Sequence, residues 1–310
     1  MTGKKEKKQK TDIMNTRRII LGTVLLLAVT ATGCDKKESP AGPAAPETPG
    51  VPESPTAPAD RQITFTTEIA ATRAPQLDED GSGSFTAGDT FTLYARDDAQ
   101  GAATLDYTVG STALYWRDLT FAAEGGKVHF AACYPKQSLS EGGFDFTATQ
   151  DAAGDLLWAS AAGVGVGTEQ PVALTFRHAL HRLAVKYTVE DTSVDASKIE
   201  TRCTTIATAR VELSEGRIRL GDTEKTFTAT NQEVSFLVLP QPTENVTLEI
   251  HAGGMTRTWK LSQTDFPYPE LEGGKQVTVN LTVQEEKITL SGLTIEGWGD
   301  QGSIDDEIIL

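Results

Sequence analysis

Short apolar runs, separated by Gly, Asp, Asn and Pro, follow one another along most of the chain. In the run Gln276–Val283, the apolar residues Val277, Val279, Leu281 and Val283 alternate with polar ones. An alternation with a period of two places one set of side chains on a single face of a β-strand. No stretch of this region has apolar residues at helical spacing over three turns. The pattern therefore predicts half-buried antiparallel strands.

The predicted strands are rich in β-branched and aromatic residues. They are Ile63–Thr66, Thr90–Ala95, Lys127–Tyr134, Val172–Phe176, Leu183–Val189, Ala209–Leu213, Val234–Leu239, Val246–Ile250, Thr256–Leu261, Gln276–Val283 and Lys287–Leu290. A body with roughly a dozen short strands is most simply two β-sandwiches in series. We therefore predict an all-β fold, with one sandwich at residues 61–192 and a second at residues 193–310, joined near the polar stretch Glu190–Lys198.

One stretch breaks its alternation. Between residues 172 and 187, the apolar set changes parity from Leu180 to Leu183. Because successive side chains of a strand point to opposite faces, this change moves the inward face to the other side of the strand. A β-bulge or a short kink is predicted at this point.

The N-terminus has the pattern of an exported protein. Residues 1–18 are basic, Ile19–Val29 is an apolar or small run, and small residues continue to Cys34. An 11-residue run makes a helix of roughly 16 Å, about half of the ~30 Å hydrocarbon core, so it is too short to span a membrane. We predict a signal peptide at residues 1–33. Met14 is a plausible alternative start.

Cys34 is the predicted lipid attachment site. The sequence Ala31-Thr32-Gly33-Cys34 resembles the lipobox of lipoprotein signal peptidase, and cleavage there leaves Cys34 as a diacylated N-terminus. Ordinary cleavage with Cys34 as a free thiol is the alternative. Acyl chains contribute about 0.8 kcal/mol per buried CH₂ group, so two or three of them anchor a protein firmly.

A proline-rich segment follows the cysteine. Within residues 34–60, seven prolines stand at every third position from Pro40 to Pro58. Polyproline II has three residues per turn, so the spacing places these prolines on one face of an extended helix. At about 3.1 Å per residue, such a stalk reaches roughly 80 Å. A disordered linker is the alternative, and either one holds the body away from the lipid.

The net charge and the lack of catalytic motifs argue against two classes of function. The net charge is −15 and the isoelectric point is about 4.7, which excludes a nucleic-acid partner because phosphate binding requires clustered Lys and Arg. The sequence contains no GxSxG, Walker A or CxxC motif, and no carboxylate lies in an apolar context that favours acid catalysis. The sequence therefore gives no reason to predict an enzyme.

Two patterns are candidate metal sites. His178 and His181 form an HxxH sequence, but their flanks read as strand, where this spacing points the rings to opposite faces. The second pattern has the spacing of an EF-hand calcium loop, with oxygen donors at Asp78, Asp80, Ser82 and Asp89. Its last ligand is Asp instead of the usual Glu, and neither flank reads as helix, so an acidic loop between strands explains the same residues. Calcium is the only candidate cofactor, and no metal site is assigned.

The remaining cysteines are Cys133 and Cys203. An even pair in an exported protein is consistent with a disulfide. The two residues fall in different predicted sandwiches, so a disulfide requires the sandwiches to touch there. Two buried thiols are the alternative.

The order of several fragments resembles the fimbrillin family of Bacteroidota, the FimA- and Mfa-like lipoprotein pilins. The fragments are Ile63–Thr66, Ala71–Ala74, Phe85–Tyr94, Leu114–Trp116, Phe130–Pro135, Asp155–Ala159, Leu174–Leu183, Leu239–Gln241, Gly273–Lys275 and Ile295–Trp298. The resemblance covers residues 61–310. It implies two transthyretin-like β-sandwich domains and a non-catalytic subunit of a surface fimbria, located at the outer membrane. The charged stretch Asp35–Glu38 favours surface export in this group.

The resemblance also implies a mode of assembly. In this family, proteolysis at an Arg near the first strand removes that strand, and a segment of another fimbrial subunit fills the groove by donor-strand exchange. The candidate cleavage site is Arg73. The alternative is that Arg73 is only an exposed residue in the turn after the first strand. Arg61 is a second exposed candidate for cleavage. The C-terminal segment Ser303–Leu310 is a candidate donor strand. Tip and anchor subunits that keep their lipid also exist in this family.

A surface lipoprotein that binds glycans is the competing function. It requires exposed aromatic side chains that stack on sugar rings, and the candidates are Tyr115, Trp116, Trp259 and Tyr268. The identity of a host or bacterial surface ligand is left open.

Overall fold

A computed structural model describes residues 56–70, 85–151, 154–263, 266, 268–285 and 287–297. Within these ranges the long elements are all β-strands. Helical structure there consists of short 3₁₀ segments, which include Pro58–Asp60, Trp116–Asp118, Ala196–Lys198, Thr243–Asn245 and Leu261–Gln263. None of the helices in the described ranges is long and apolar enough to cross a membrane. The predicted all-β class is confirmed.

The strands of the first half are β1 (Gln62–Ile63), β2 (Phe65–Ile69), β3 (Thr90–Arg96), β4 (Ala102–Thr108), β5 (Leu114–Tyr115), β6 (Lys127–Tyr134), β7 (Gly143–Thr147), β8 (Leu157–Gly165) and β9 (Val172–His178). Those of the second half are β10 (His181–Val189), β11 (Glu200–Ile206), β12 (Thr208–Glu212), β13 (Arg217–Leu220), β14 (Glu224–Thr230), β15 (Glu233–Val238), β16 (Gln241–Pro242), β17 (Thr247–Ala252), β18 (Met255–Lys260), β19 (Glu270–Leu271), β20 (Lys275–Val283) and β21 (Ile288–Gly297).

A six-stranded sheet dominates the first half. Its strand order is β2-β9-β8-β6-β3-β4, with β2 parallel to β9 at one edge. The alternation of β9 buries Val172, Leu174 and Phe176 on the inner face. They join Phe91 and Phe130 in the first hydrophobic core. The period-two pattern of the sequence therefore builds this core directly.

Two four-stranded sheets dominate the second half, with orders β15-β10-β20-β21 and β14-β11-β17-β18. Their inward residues belong to a second hydrophobic core, with Leu183 and Val279 from one sheet and Leu248 and Ile250 from the other. A smaller sheet, in the order β13-β12-β7, packs against the same core through Val211. The second half therefore has the layered arrangement of a β-sandwich.

The strand pairing differs from the predicted boundary at residue 192. β10 lies before this boundary, yet it pairs with β15 and runs parallel to β20 over Arg182–Val189. β7 also lies before it and pairs with β12. The parity change between Leu180 and Leu183 marks the passage of the chain from the first large sheet to a sheet of the second half, where a bulge or kink was predicted. Alternation reveals which side chains point inward, but not which strand is the partner.

Candidate functional site

Several predicted site residues lie outside the described ranges. They are Cys34, Arg73, Asp78, Asp80, Ser82 and the segment Ser303–Leu310. Their roles in lipidation, cleavage, calcium binding and strand donation stay predictions. Arg61 and Asp89 lie within the described ranges.

Arg61 is held against the body. Its Nη1 donates to the carbonyl oxygen of Gly167 at 2.7 Å, and its Nε lies 3.2 Å from a carboxylate oxygen of Glu169. Its carbonyl oxygen accepts from the backbone N–H of Trp116 at 3.2 Å. The side chain is 28% exposed. Arg61 is therefore half-buried where an exposed residue was predicted, and it is fixed by backbone and side-chain bonds. Its cleavage stays a prediction.

Asp89 closes a turn between residues 85 and 90. Its carboxylate accepts from the backbone N–H of Thr86 at 2.7 Å and from the hydroxyl of the same residue at 3.0 Å. Gly88 in this turn has φ +103°, a conformation that L side chains rarely adopt. The carboxylate that was predicted as the last calcium ligand thus binds protein donors here. The described ranges contain no group of three or more His, Cys, Asp or Glu residues arranged to hold a metal ion.

The two histidines of the HxxH sequence make separate hydrogen bonds. His178, the last residue of β9, has its Nδ1 2.9 Å from a carboxylate oxygen of Asp155. His181, the first residue of β10, has its Nδ1 2.8 Å from the carbonyl oxygen of Glu272. Both side chains are buried, and burial lowers the pKa of His181 to about 4. A buried imidazole with this pKa is neutral at pH 7.

The two cysteines of the body are free thiols. Cys133 and Cys203 are both buried, and both belong to the second hydrophobic core. Burial raises the pKa of each thiol to about 12. The structure thus shows two buried thiols and no disulfide between them. Both residues belong to the same core, so the contact between the two halves that a disulfide would require is present.

β2 is the element that the assembly hypothesis depends on, and it is an edge strand. Among the strands that the structure describes, its one partner in the sheet is β9, in parallel register from Phe65 opposite Val172 to Ile69 opposite Phe176. At its two ends, the carbonyl oxygen of Thr64 accepts from Val172 N–H and Ala70 N–H donates to the carbonyl of Phe176, both at 2.8 Å. An edge strand can leave without breaking a sheet in two.

The inward side chains of β2 cover the first core. The ring of Phe65 packs edge-to-face on Tyr107 at 5.1 Å and on Phe130 at 5.3 Å between centroids. Ile69 packs against the same core, and Ile63 of β1 is buried within it. Complete burial of one such side chain stabilises a fold by about 1.5–3 kcal/mol. Removing this segment would leave an apolar groove beside the unpaired backbone of β9.

The position of β2 separates the two candidate cleavage sites. Both β1 and β2 lie after Arg61 and before Arg73. A cut after Arg73 detaches both strands from the rest of the chain, whereas a cut after Arg61 leaves both in place. The sequence locates this first strand, but the parallel pairing with β9, about 100 residues further on, has no local signal.

The aromatic residues predicted for glycan stacking contact other protein groups, and the ring of the half-buried Tyr268 lies 6.1 Å from that of Phe266. Trp116 is buried, and its ring packs against Phe130. Tyr115 lies beneath the guanidinium of Arg117, at 4.4 Å from the ring centroid. Trp259 is half-buried and packs against the second core.

A family model described as fimbrillin-like matches residues 72–298. The chain belongs to the fimbrillin-like family. This match confirms the resemblance found in the sequence, and it spans both halves of the fold. Among curated proteins, none matches the chain in sequence.

Solved structures share the fold of this fimbrillin-like chain. A candidate cell adhesion protein from Bacteroides uniformis is 16% identical, with a TM-score of 0.57, and the match covers 76% of this chain and 99% of that one. A second, from Bacteroides ovatus, is 18% identical with a TM-score of 0.54, over 79% of this chain and 100% of that one. At these identities the likeness supports the fold alone.

Proposed function

We propose that this fimbrillin-like protein is a structural subunit of a bacterial surface fimbria, with no catalytic role, and that it assembles by donor-strand exchange after proteolysis at Arg73. The observation that carries the proposal is the position of β2. It is an edge strand, it covers the first core with Phe65 and Ile69, and it lies directly before Arg73.

The chemistry of the vacated edge favours a replacement strand. Loss of β2 leaves the outward-facing N–H and C=O groups of β9 without protein partners, and it uncovers the apolar face around Phe130 and Tyr107. An extended segment with alternating apolar side chains satisfies both, since its backbone pairs with β9 and its side chains fill the groove. The donor we propose is Ser303–Leu310 of another subunit, or the corresponding segment of a partner subunit.

The N-terminal segments complete the proposal. The signal peptide directs export, acylation of Cys34 anchors the precursor in the outer membrane, and the stalk at residues 34–60 holds the body at the cell surface. Cleavage after Arg73 then releases the body from its lipid anchor as it removes β2. A subunit that is not cut stays anchored, as a tip or base subunit would.

Cleavage and strand acceptance can be tested together in vitro. The full chain with Cys34→Ala is treated with an Arg-specific protease and mixed with a peptide of residues 303–310, and binding is followed by native mass spectrometry. We expect the cut protein to lose residues 1–73 and to bind one peptide, while the uncut protein binds none.

Two variants serve as matched controls. Arg73→Gln should block both the loss of β2 and peptide binding, whereas Arg61→Gln should leave both unchanged. A scrambled peptide of the same composition should bind far more weakly. The proposal is contradicted if the cut protein neither assembles nor accepts this peptide or a partner subunit's segment.

A further inference from the structure

A cleft lies on the outer face of the six-stranded sheet. The residues of β8 and β9 that point away from the first core form its floor, and the turn between β12 and β13 forms one wall. The cleft has a volume of about 510 Å³, and its lining includes Trp158, Ser160, Thr175, Arg177 and Gly216. An adjoining cleft of about 400 Å³ shares Trp158 and Arg177 and continues toward Pro240 and Gly273. Both volumes are in the range of small-molecule sites.

The cleft exists because the sheet β13-β12-β7 covers only part of this outer face. Under it, Ala131 and Cys133 of β6 are buried in the second core. Farther out, Trp158 of β8 is only half-buried, and Ser160 is exposed. The uncovered part is therefore a pleated surface with one aromatic ring and several polar side chains.

Arg177 supplies the positive charge of this surface. Its side chain is exposed, and it has no ion pair or hydrogen bond with any residue that the structure describes. It lies directly opposite Trp158 in the pairing of β9 with β8. By contrast, Arg61, Arg117 and Arg219 each bind a carboxylate. A free guanidinium in a cleft is suited to bidentate binding of a carboxylate.

The remaining groups suit a sugar ring. The half-buried indole of Trp158 offers an apolar face against which a pyranose can stack, and the hydroxyls of Ser160 and Thr175 lie along the same surface. Between β8 and β9 the described ladder joins Leu157 to His178 and Trp158 to Arg177, and the cleft lies over this pairing and the strand residues next to it. We infer that this cleft binds a carbohydrate carrying a carboxylate, such as a sialic or uronic acid unit.

Carboxylates near the cleft are already bound to protein groups, among them Glu215 in the wall turn, which lies 3.3 Å from Nη2 of Arg217. Glu68 on β2 accepts from the Thr175 hydroxyl at 2.7 Å, Glu272 pairs with Lys275 at 2.6 Å, and Asp155 bonds to His178. Glu68 is the one that contacts the floor. The negative charge of Glu68 repels an anionic ligand. Its hydrogen bond also occupies the Thr175 hydroxyl, which would otherwise be available to the ligand.

The test uses the full chain on an array of sialylated and uronate-containing oligosaccharides, each beside a neutral counterpart such as 3′-sialyllactose beside lactose. Titration calorimetry then gives the Kd of the best pair. We expect the acidic form to bind at least 10-fold more tightly than the neutral form. Arg177→Gln should weaken it by at least 10-fold, because a charge-assisted bidentate bond is lost, and Arg177→Lys should fall in between.

Matched variants separate the cleft from general charge effects. Arg117→Gln removes an exposed Arg of the same charge elsewhere and should leave the Kd unchanged. Glu68→Gln should tighten binding roughly 3-fold, because a nearby negative charge is removed. Because this assay reads sugar binding by unassembled protein, its outcome does not depend on strand exchange.

Three results would overturn the inference. One is the absence of binding by any acidic sugar at millimolar concentration. Another is binding that Arg177→Gln does not change. The third is binding of the acidic peptide of residues 303–310 in place of the sugars, if Arg177→Gln abolishes it, since the cleft would then be a protein-binding surface.

Discussion

Truncation of Phe65 to Ala measures how firmly β2 is held on the body. The ring is half-buried and contacts Tyr107 and Phe130 edge-to-face. Removing a fully buried Phe costs about 3–5 kcal/mol, including the cavity that it leaves. Since about half of this ring is covered, we expect Phe65→Ala to lower the free energy of unfolding by about 2 kcal/mol.

The assay is urea-induced unfolding of the full chain, followed by tryptophan fluorescence, to which Trp116 contributes with its ring packed on Phe130 at 6.2 Å. Thr66→Ala is the matched control, because Thr66 is the next residue of the same strand and points outward. We expect it to change stability by less than about 0.5 kcal/mol. If Phe65→Ala also changed stability by less than about 0.5 kcal/mol, β2 would not be packed on the core as described.

Three further predictions address other parts of the chain. The pKa of His181 is lowered to about 4 from about 6.5 in the unfolded chain, so the unfolded chain binds more protons between these values. His181 should therefore make stability fall by about 1.4 kcal/mol per pH unit as the pH drops through this range. Urea titrations at several pH values should show that His181→Gln has a shallower fall than the wild type by this amount, and equal slopes would contradict the burial of a neutral imidazole. In a Cys34→Ala background, Cys133 and Cys203 should not react with a thiol reagent at pH 8 until the protein is denatured, because burial holds both thiols protonated. Rapid reaction of the native protein would contradict their burial. Labelling of cells with palmitate should mark the wild-type chain and not the Cys34→Ala variant. The variant should also be lost from the membrane fraction. Equal labelling of both chains would exclude acylation at Cys34.

The all-β class could be predicted from the sequence because the alternation of apolar and polar residues is local. In β20, for example, each inward residue is visible in the sequence itself. The partners of each strand could not be predicted in this way. The parallel pairing of β10 with β20 and the pairing of β7 with β12 join residues far apart in sequence, and the predicted boundary at residue 192 missed both.

Site residues could likewise be predicted where their signal is local in sequence, and not where it depends on long-range contacts. The arginine at position 73 stands out because it follows the first strand, which is a local feature. The fixing of Arg61 by Gly167 and Glu169 depends on a contact more than 100 residues away, and so it was not foreseen. The cleft at Trp158 and Arg177 was also missed. In the sequence both residues are ordinary members of strands, and only the tertiary arrangement shows that the neighbouring sheet leaves their face uncovered.

The most direct test of the assembly mechanism is the N-terminus of the protein in assembled fimbriae. Shaved or sheared surface material would be analysed by N-terminal sequencing and intact mass measurement. Our account predicts a chain that begins at Ala74, with residues 1–73 and the lipid absent. Assembled subunits that begin at Cys34 or Gln62 would still contain β2, and they would contradict strand exchange at the edge of β9.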